Sequence, residues 1–190
     1  MKTRELRPFT TELQTRTEED GKLIIEGYFA VYDSIYDIAP GMSESIAQGA
    51  FSNSLSGDVR ALVNHDTTLV LGRTAAHTFE LRDDSHGLWG RIVINPKDSD
   101  ATNAHARVER GDVSQCSIGF HIVREDTEIH EDGSMHWTIR EADLLECSIC
   151  TFPAYKETNV SARAKDKADF TARRLEAWRE QMRSKIKGEQ

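Results

Sequence analysis

The sequence predicts a mainly β fold with helices, an α+β arrangement. Three observations carry that prediction. Short runs rich in β-branched and aromatic residues recur along the chain. Clusters of glycine, proline and aspartate separate them. Only two or three stretches carry helix signals. Many short strands with few helices predict a barrel or curled sheet with helices packed outside.

The elements follow in order. Residues 1–20 are polar and read as a poorly ordered lead-in. Residues 23–33 (LIIEGYFAVYD) read as a strand, with Gly27 marking a bulge. Pro40 and Gly41 break the pattern, and Ser43 offers an N-cap for a short helix over 46–55. Residues 59–64 and 69–73 read as strands joined by a turn over 65–68. Residues 78–82 and 88–94 form a hairpin around the turn 83–87, and Pro96 ends it. Residues 98–110 read as a helix, with Asp98, Ser99 and Asp100 at its start and Gly111 as its stop. Residues 113–124 form a strand through Ser117. Residues 135–140 and 144–152 form two more, and Pro153 stops the last. From Ala162 the chain turns charged, and Phe170, Leu175, Trp178 and Met182 space one stripe of an amphipathic C-terminal helix. The domain reading is a lead-in over 1–20, a body over 21–160 and a charged helical tail over 161–190.

A chain of 190 residues fits one domain with an appendage and buries a core without disulfides or metals. A formal net charge of -8 disfavours nucleic acid as the main partner, since phosphate binding needs a basic face. No apolar run approaches the length of a membrane span, so no membrane partner is expected. Cys116, Cys147 and Cys150 cannot all pair within one chain, and Met1 to Asp20 has no secretory pattern; both point to a reducing cytoplasm.

The chemistry centres on Cys116-Ser117-Ile118-Gly119-Phe120 and on Asn64-His65-Asp66. A serine hydroxyl attacks a carbonyl only when a neighbouring base takes its proton. Strand alternation places Ser117 and Gly119 on one face and Cys116, Ile118 and Phe120 on the other. The apolar set faces the core, and Ser117 faces a groove beside an open backbone. A lone serine in a strand is more often a solvated or capping hydroxyl. Ser114 competes, either on the opposite face or in the turn after Gly111. His65 has six competitors, but it alone follows a five-residue strand-like run, apolar except for Arg60, with an aspartate beside it. A turn histidine is the plainer reading of it. A third group would orient the imidazole. Glu146 lies inside an apolar strand, where a carboxylate is costly unless paired. Glu141 and Asp143 stand in a more polar stretch, and a salt bridge from Glu146 to Arg140 or Arg73 is the plainer alternative.

Other patterns are weaker. Cys147 and Cys150 are three apart, so a strand puts them on opposite faces, and Cys116 shares its face with Ile118 and Phe120. All three cysteines read as small core residues. The scattered histidines offer no metal-ligand spacing, so no metal or cofactor is expected. The basic residues of the tail are mixed with acids, as on a solvated helix face.

In order, the chain carries GYFAVYD, AFSNSL from Ala50 to Leu55, VRALVNHD, LGRT, the D-x-x-G-L-W-G run, RGDVSQCSIGF and LLECSICTFPAY. Together these resemble the prohead maturation proteases of tailed bacteriophages, the HK97-type group, over residues 23–155. That family is similar in fold to the herpesvirus capsid assembly proteases, the assemblins. The resemblance therefore implies a closed β barrel surrounded by helices. It selects Ser117 over Ser114 as nucleophile and His65 as base. The assemblins' third member is a second downstream histidine. No histidine stands at that spacing here, and the nearest, His136, lies at a loop-to-strand entry. Glu146 takes its place, with Glu141 as the alternative. The resemblance further implies a serine endopeptidase inside the immature capsid in the bacterial cytoplasm. Its partners would be the major capsid protein, whose scaffolding portion it cleaves, and a second copy of itself in a homodimer. Self-cleavage is implied as well. The competing reading is a non-catalytic assembly or scaffolding factor with the same fold.

Overall fold

The computed structural model of the protein describes residues 4–9, 13–152, 163, 167–169, 171–173, 176 and 179. In chain order the strands are β1 (Glu5–Phe9), β2 (Gln14–Thr17), β3 (Leu23–Val31), β4 (Tyr36–Ala39), β5 (Met42–Ile46), β6 (Arg60–Val63), β7 (Asp66–Arg73), β8 (Phe79–Asp83), β9 (Gly87–Ile94), β10 (Gln115–Ile129) and β11 (Met135–Cys150). Helix α1 spans Ser99–Arg110.

Two sheets result. The smaller is antiparallel in the order β2-β3-β9-β8. The larger runs β1-β10-β11-β5-β4, with β6 also on β11 and β7 on β6. Strand β11 is long enough to take two parallel partners end to end: β5 along Met135 to Ile139 and β6 along Glu146 to Ile149. Among the described residues no strand pairing joins the two sheets, so the closed barrel is corrected to an open two-sheet arrangement. The mainly β class with few helices stands.

The core lies on the inner faces. Ile25 and Phe29 of β3 and Leu88 and Ile92 of β9 share one buried cluster with Cys116, Ile118 and Phe120 of β10 and Cys147 and Ile149 of β11. Ala101, Ala104 and Val108 add one face of α1 to it. Asp98 caps that helix, its Oδ1 accepting from the backbone N–H of Asp100 at 2.9 Å and Ala101 at 3.2 Å.

Four further expectations are corrected. Glu5–Phe9 is no loose lead-in: it pairs antiparallel with β10 and sets Pro8 opposite Ser117. Arg7 at its centre is buried, and its pairing partner is one that composition alone does not reveal. Residues 46–55 form no helix. Residues 42–46 complete a parallel pair, and the chain then makes successive turns, with Ala50 N–H on Ala47 O, Ser52 N–H on Gly49 O and Ser54 N–H on Phe51 O. Gly49 has φ 78°, outside the helical region, and the Ser54 hydroxyl bonds to Phe51 O, competing with a helical ladder. The two strands expected over 135–152 are one, and the register shift of β3 falls between Tyr28 and Ala30, past Gly27. The C-terminal stripe of Phe170, Leu175, Trp178 and Met182 lies outside the described residues.

Candidate active site

His65 is held by a two-residue turn. Asn64 and His65 have φ of 51° and 62°, and Val63 pairs with Asp66, so β6 and β7 form a tight hairpin with both central residues left-handed. Asparagine and histidine are among the side chains that tolerate this region. The turn is shorter than the 65–68 reading. It is tied to the end of β11, since Asn64 N–H donates to Ile149 O at 2.9 Å and Asn64 Oδ1 accepts from Thr151 N–H at 2.9 Å.

The carboxylate comes from β11. Gly119 pairs with Glu146 and Phe120 with Leu144, which leaves Leu145 without a partner. This one-residue bulge resets the alternation. Before it, Ala142 and Leu144 face the core; after it, Cys147 and Ile149 do, and Glu146 and Ser148 take the opposite face. Without the bulge, Glu146 would share a face with buried Leu144. The same face of β10 presents Ser117, opposite Ser148, and Gly119, opposite Glu146.

Glu146 Oε1 lies 2.6 Å from His65 Nδ1. Its Oε2 accepts from Ser148 Oγ–H at 2.6 Å, and Ser148 Oγ accepts from the His65 backbone N–H at 3.1 Å. Arg4 Nη2 also donates to Glu146 Oε1, at 2.5 Å. The Glu146 and His65 side chains are 5% and 15% exposed, so the pair is largely shielded. Arg4 is 36% exposed, and a pair so open to solvent contributes about 1 kcal/mol or less. Burial pushes the Glu146 carboxyl up, but the hydrogen bonds from His65, Ser148 and Arg4 and the charge of His65 outweigh it and hold it below its ordinary value. Glu146 is therefore an ionised acceptor.

Ser117 is 0% exposed, and its Oγ has no hydrogen-bond partner among the described residues. A buried hydroxyl without a partner costs about 1–3 kcal/mol. His65 Nε2 faces the Cys150 thiol at 3.9 Å. Burial pushes that thiol up to about 12, so it stays protonated.

The structure thus brings His65 and Glu146 into contact and sets Ser117 on the same face, without a bond between His65 and Ser117. Ser117 is buried, where the sequence reading had it facing a groove. Ser114 is exposed and precedes the strand. Glu141 accepts from Asn53 Nδ2 at 2.9 Å on the exposed surface and bonds to none of these groups. His136 sits between Ser43 Oγ at 2.8 Å and Ser45 Oγ at 2.9 Å, so those serines serve the β5–β11 ladder and cap no helix. Ser148 and Arg4 escaped the sequence reading. Alternation from Glu146 could have found Ser148, two residues on along the same face; nothing local marked Arg4. Among the described residues no group of three or more His, Cys, Asp or Glu side chains is placed to hold a metal ion, and no helix is long and apolar enough to cross a membrane.

Residues 11–173 match the family model of the caudovirus prohead serine protease. The chain is 30% identical over 171 residues to the prohead protease of Enterobacteria phage HK97, covering 88% of this chain and 72% of that one. Among solved structures it is similar to the bacteriophage T4 capsid assembly protease, with a TM-score of 0.46 and 12% identity over 78% of this chain and 99% of that one.

Proposed function

The chain belongs to the caudovirus prohead serine protease family, and from that premise we propose that it is the serine endopeptidase that trims the scaffolding portion of the phage major capsid protein, and cuts itself, as the prohead matures. Ser117 is the nucleophile, His65 the general base and Glu146 the group that orients the base. The observation that carries this reading is the 2.6 Å contact between Glu146 Oε1 and His65 Nδ1. An ionised carboxylate only accepts, so Nδ1 carries a proton, and in the neutral imidazole Nε2 then holds the lone pair. That is the tautomer a serine protease needs.

The steps follow from these roles. The peptide carbonyl enters beside Ser117, and the His65 ring turns Nε2 from the Cys150 thiol onto Ser117 Oγ. His65 takes the hydroxyl proton as Oγ attacks the carbonyl carbon, and Glu146 stabilises the imidazolium. His65 then gives its proton to the leaving amine, and an acyl-enzyme remains on Ser117. Water, deprotonated by the same nitrogen, releases the acid and restores the serine. Ser148 is the neighbouring hydroxyl, but it donates to Glu146 and accepts from a backbone N–H, so it is no free nucleophile. The expected substrate partner is the capsid protein with its scaffolding segment.

Co-expression with the cognate capsid protein, followed by intact mass spectrometry, tests the assignment. Wild type is expected to trim the capsid protein. Ser117→Ala and His65→Ala each lose about 10⁴-fold or more, and Glu146→Gln loses about 10³- to 10⁴-fold because the tautomer is no longer enforced. Trimming by Ser117→Ala at the wild-type rate overturns the nucleophile. A capsid protein left intact by wild type supports a non-catalytic assembly factor.

A further inference from the structure

The Ser148 hydroxyl bonds to both Glu146 and His65. It is fully buried, and it stands opposite Ser117 on the neighbouring strand. Its one hydroxyl makes two bonds. It donates to Glu146 Oε2 at 2.6 Å, the oxygen that His65 does not use, and it accepts from the backbone N–H of His65 at 3.1 Å. The first bond fixes the rotation of the carboxylate about its last torsion, a torsion that is otherwise broad. The second fixes the backbone of a residue held at φ 62°. The base comes from the β6–β7 turn and the carboxylate from β11, 81 residues apart in the chain. The Ser148 hydroxyl is the one described side-chain group that bonds to both.

We infer that Ser148 is a positioning residue of this protease: its hydroxyl holds the Glu146 carboxylate and the His65 backbone in one geometry, so that Nδ1 meets Oε1 and the proton stays on Nδ1. The inference rests on the catalytic reading above. Ser148 touches no reacting atom. It acts through Glu146 and His65, and its loss slows the chemical step without changing substrate binding. Glu146 keeps Arg4 and His65 as partners when Ser148 is gone, so the carboxylate stays charged but is free to rotate.

An alkyl fluorophosphonate that phosphonylates the active serine is the probe, because it needs no knowledge of the cleavage sequence. In the full chain, Ser148→Ala is expected to lower the maximal phosphonylation rate about 10- to 100-fold with the apparent probe affinity unchanged. The downfield His65 Nδ1 proton resonance is expected to move or vanish in that variant. Ser148→Thr restores the hydroxyl and is expected to recover most of the rate and the resonance. Ser148→Cys keeps the volume with a weaker donor, and stands in if the alanine variant does not fold; it is expected to show the same loss. A Ser148→Ala rate within twofold of wild type, or an unmoved His65 resonance, overturns the inference. So does a loss confined to probe affinity. The catalytic reading is judged separately in the same assay: if Ser117→Ala is still phosphonylated, that reading falls. If only Ser148→Ala behaves as wild type, the inference falls alone.

Discussion

A β-carbon on Gly119 would collide with Glu146 Oε1 and lie 2.9 Å from Arg4 Nε and 3.0 Å from Glu146 Cδ. The obstacles are side-chain atoms, so the backbone of β10 accepts an alanine there and the carboxylate moves aside instead. Gly119→Ala is therefore expected to fold, with circular dichroism and unfolding midpoint close to wild type, while capsid trimming falls about 100-fold, the scale of a misplacement near 1 Å. An alanine variant that trims at the wild-type rate would show that the carboxylate can serve His65 from another rotamer. The same residues show what sequence can disclose. A carboxylate between Leu145 and Cys147 demands a partner, and a histidine closing an apolar run can supply one; the structure joins the two. Ser148 stayed hidden because a serine's value depends on which groups its hydroxyl meets. Arg4 stayed hidden because its partner lies 142 positions away.

At the scale of elements, the β6–β7 turn decides where the imidazole sits. Both turn residues are left-handed, and Asn64 Oδ1 also accepts from Thr151 N–H. Asn64→Asp keeps the acceptor and the tolerance for positive φ, so trimming within about threefold of wild type is expected. Asn64→Val loses both. Urea unfolding is expected to show a loss of about 1–2 kcal/mol, and trimming is expected to fall further than the unfolded fraction explains, because His65 hangs on this turn. Equal losses in the two measurements would make the turn a stability element only. The element readings that held were those written in local pattern: the capped helix α1 and the β8–β9 hairpin, each with its own start and stop. Those that failed depended on distant partners. Residues 42–46 became a strand by parallel pairing with 135–139, and residues 5–9 by pairing with β10. The polar residues Glu141 and Asp143 made β11 look like two strands on sequence, yet Glu141, Ala142 and Asp143 all pair with β10. Barrel closure is a relation between sheet edges, and no window of sequence contains it.

At the scale of the whole molecule, a buried ionic cluster ties distant segments of the chain together. Glu44 on β5 binds Arg7 of β1 through Nε and through Nη2, the latter at 2.9 Å, and Arg163 Nη2 at 2.6 Å. Arg163 also reaches Glu125 of β10 at 2.8 Å and lies 4.9 Å above the Trp137 ring. All of Arg7, Glu44 and Arg163 are buried, so the cost of removing them from water is met only while each keeps its partners. Glu44→Gln leaves two buried guanidinium groups short of an anion. Urea denaturation at pH 7 is expected to show a loss of about 3–5 kcal/mol. The pH dependence gives a second readout. Burial alone raises the Glu44 carboxyl, but the hydrogen bonds and charges of Arg7 and Arg163 outweigh it and hold it below its ordinary value. Its folded-state pKa is thus depressed, so its contribution is present above the unfolded carboxylate value and is lost as pH falls through the folded one. Wild type is expected to lose stability across that acid window more steeply than Glu44→Gln, the two curves converging at the lowest pH. Parallel curves over the window would mean that Glu44 is not the group whose protonation loosens the cluster. Because Arg7 is one residue from Pro8, which faces Ser117 in the sheet, the same variant also tests the site. A loosened β1 leaves β10 with a free edge beside Ser117, and trimming is expected to fall at temperatures where the core is still folded.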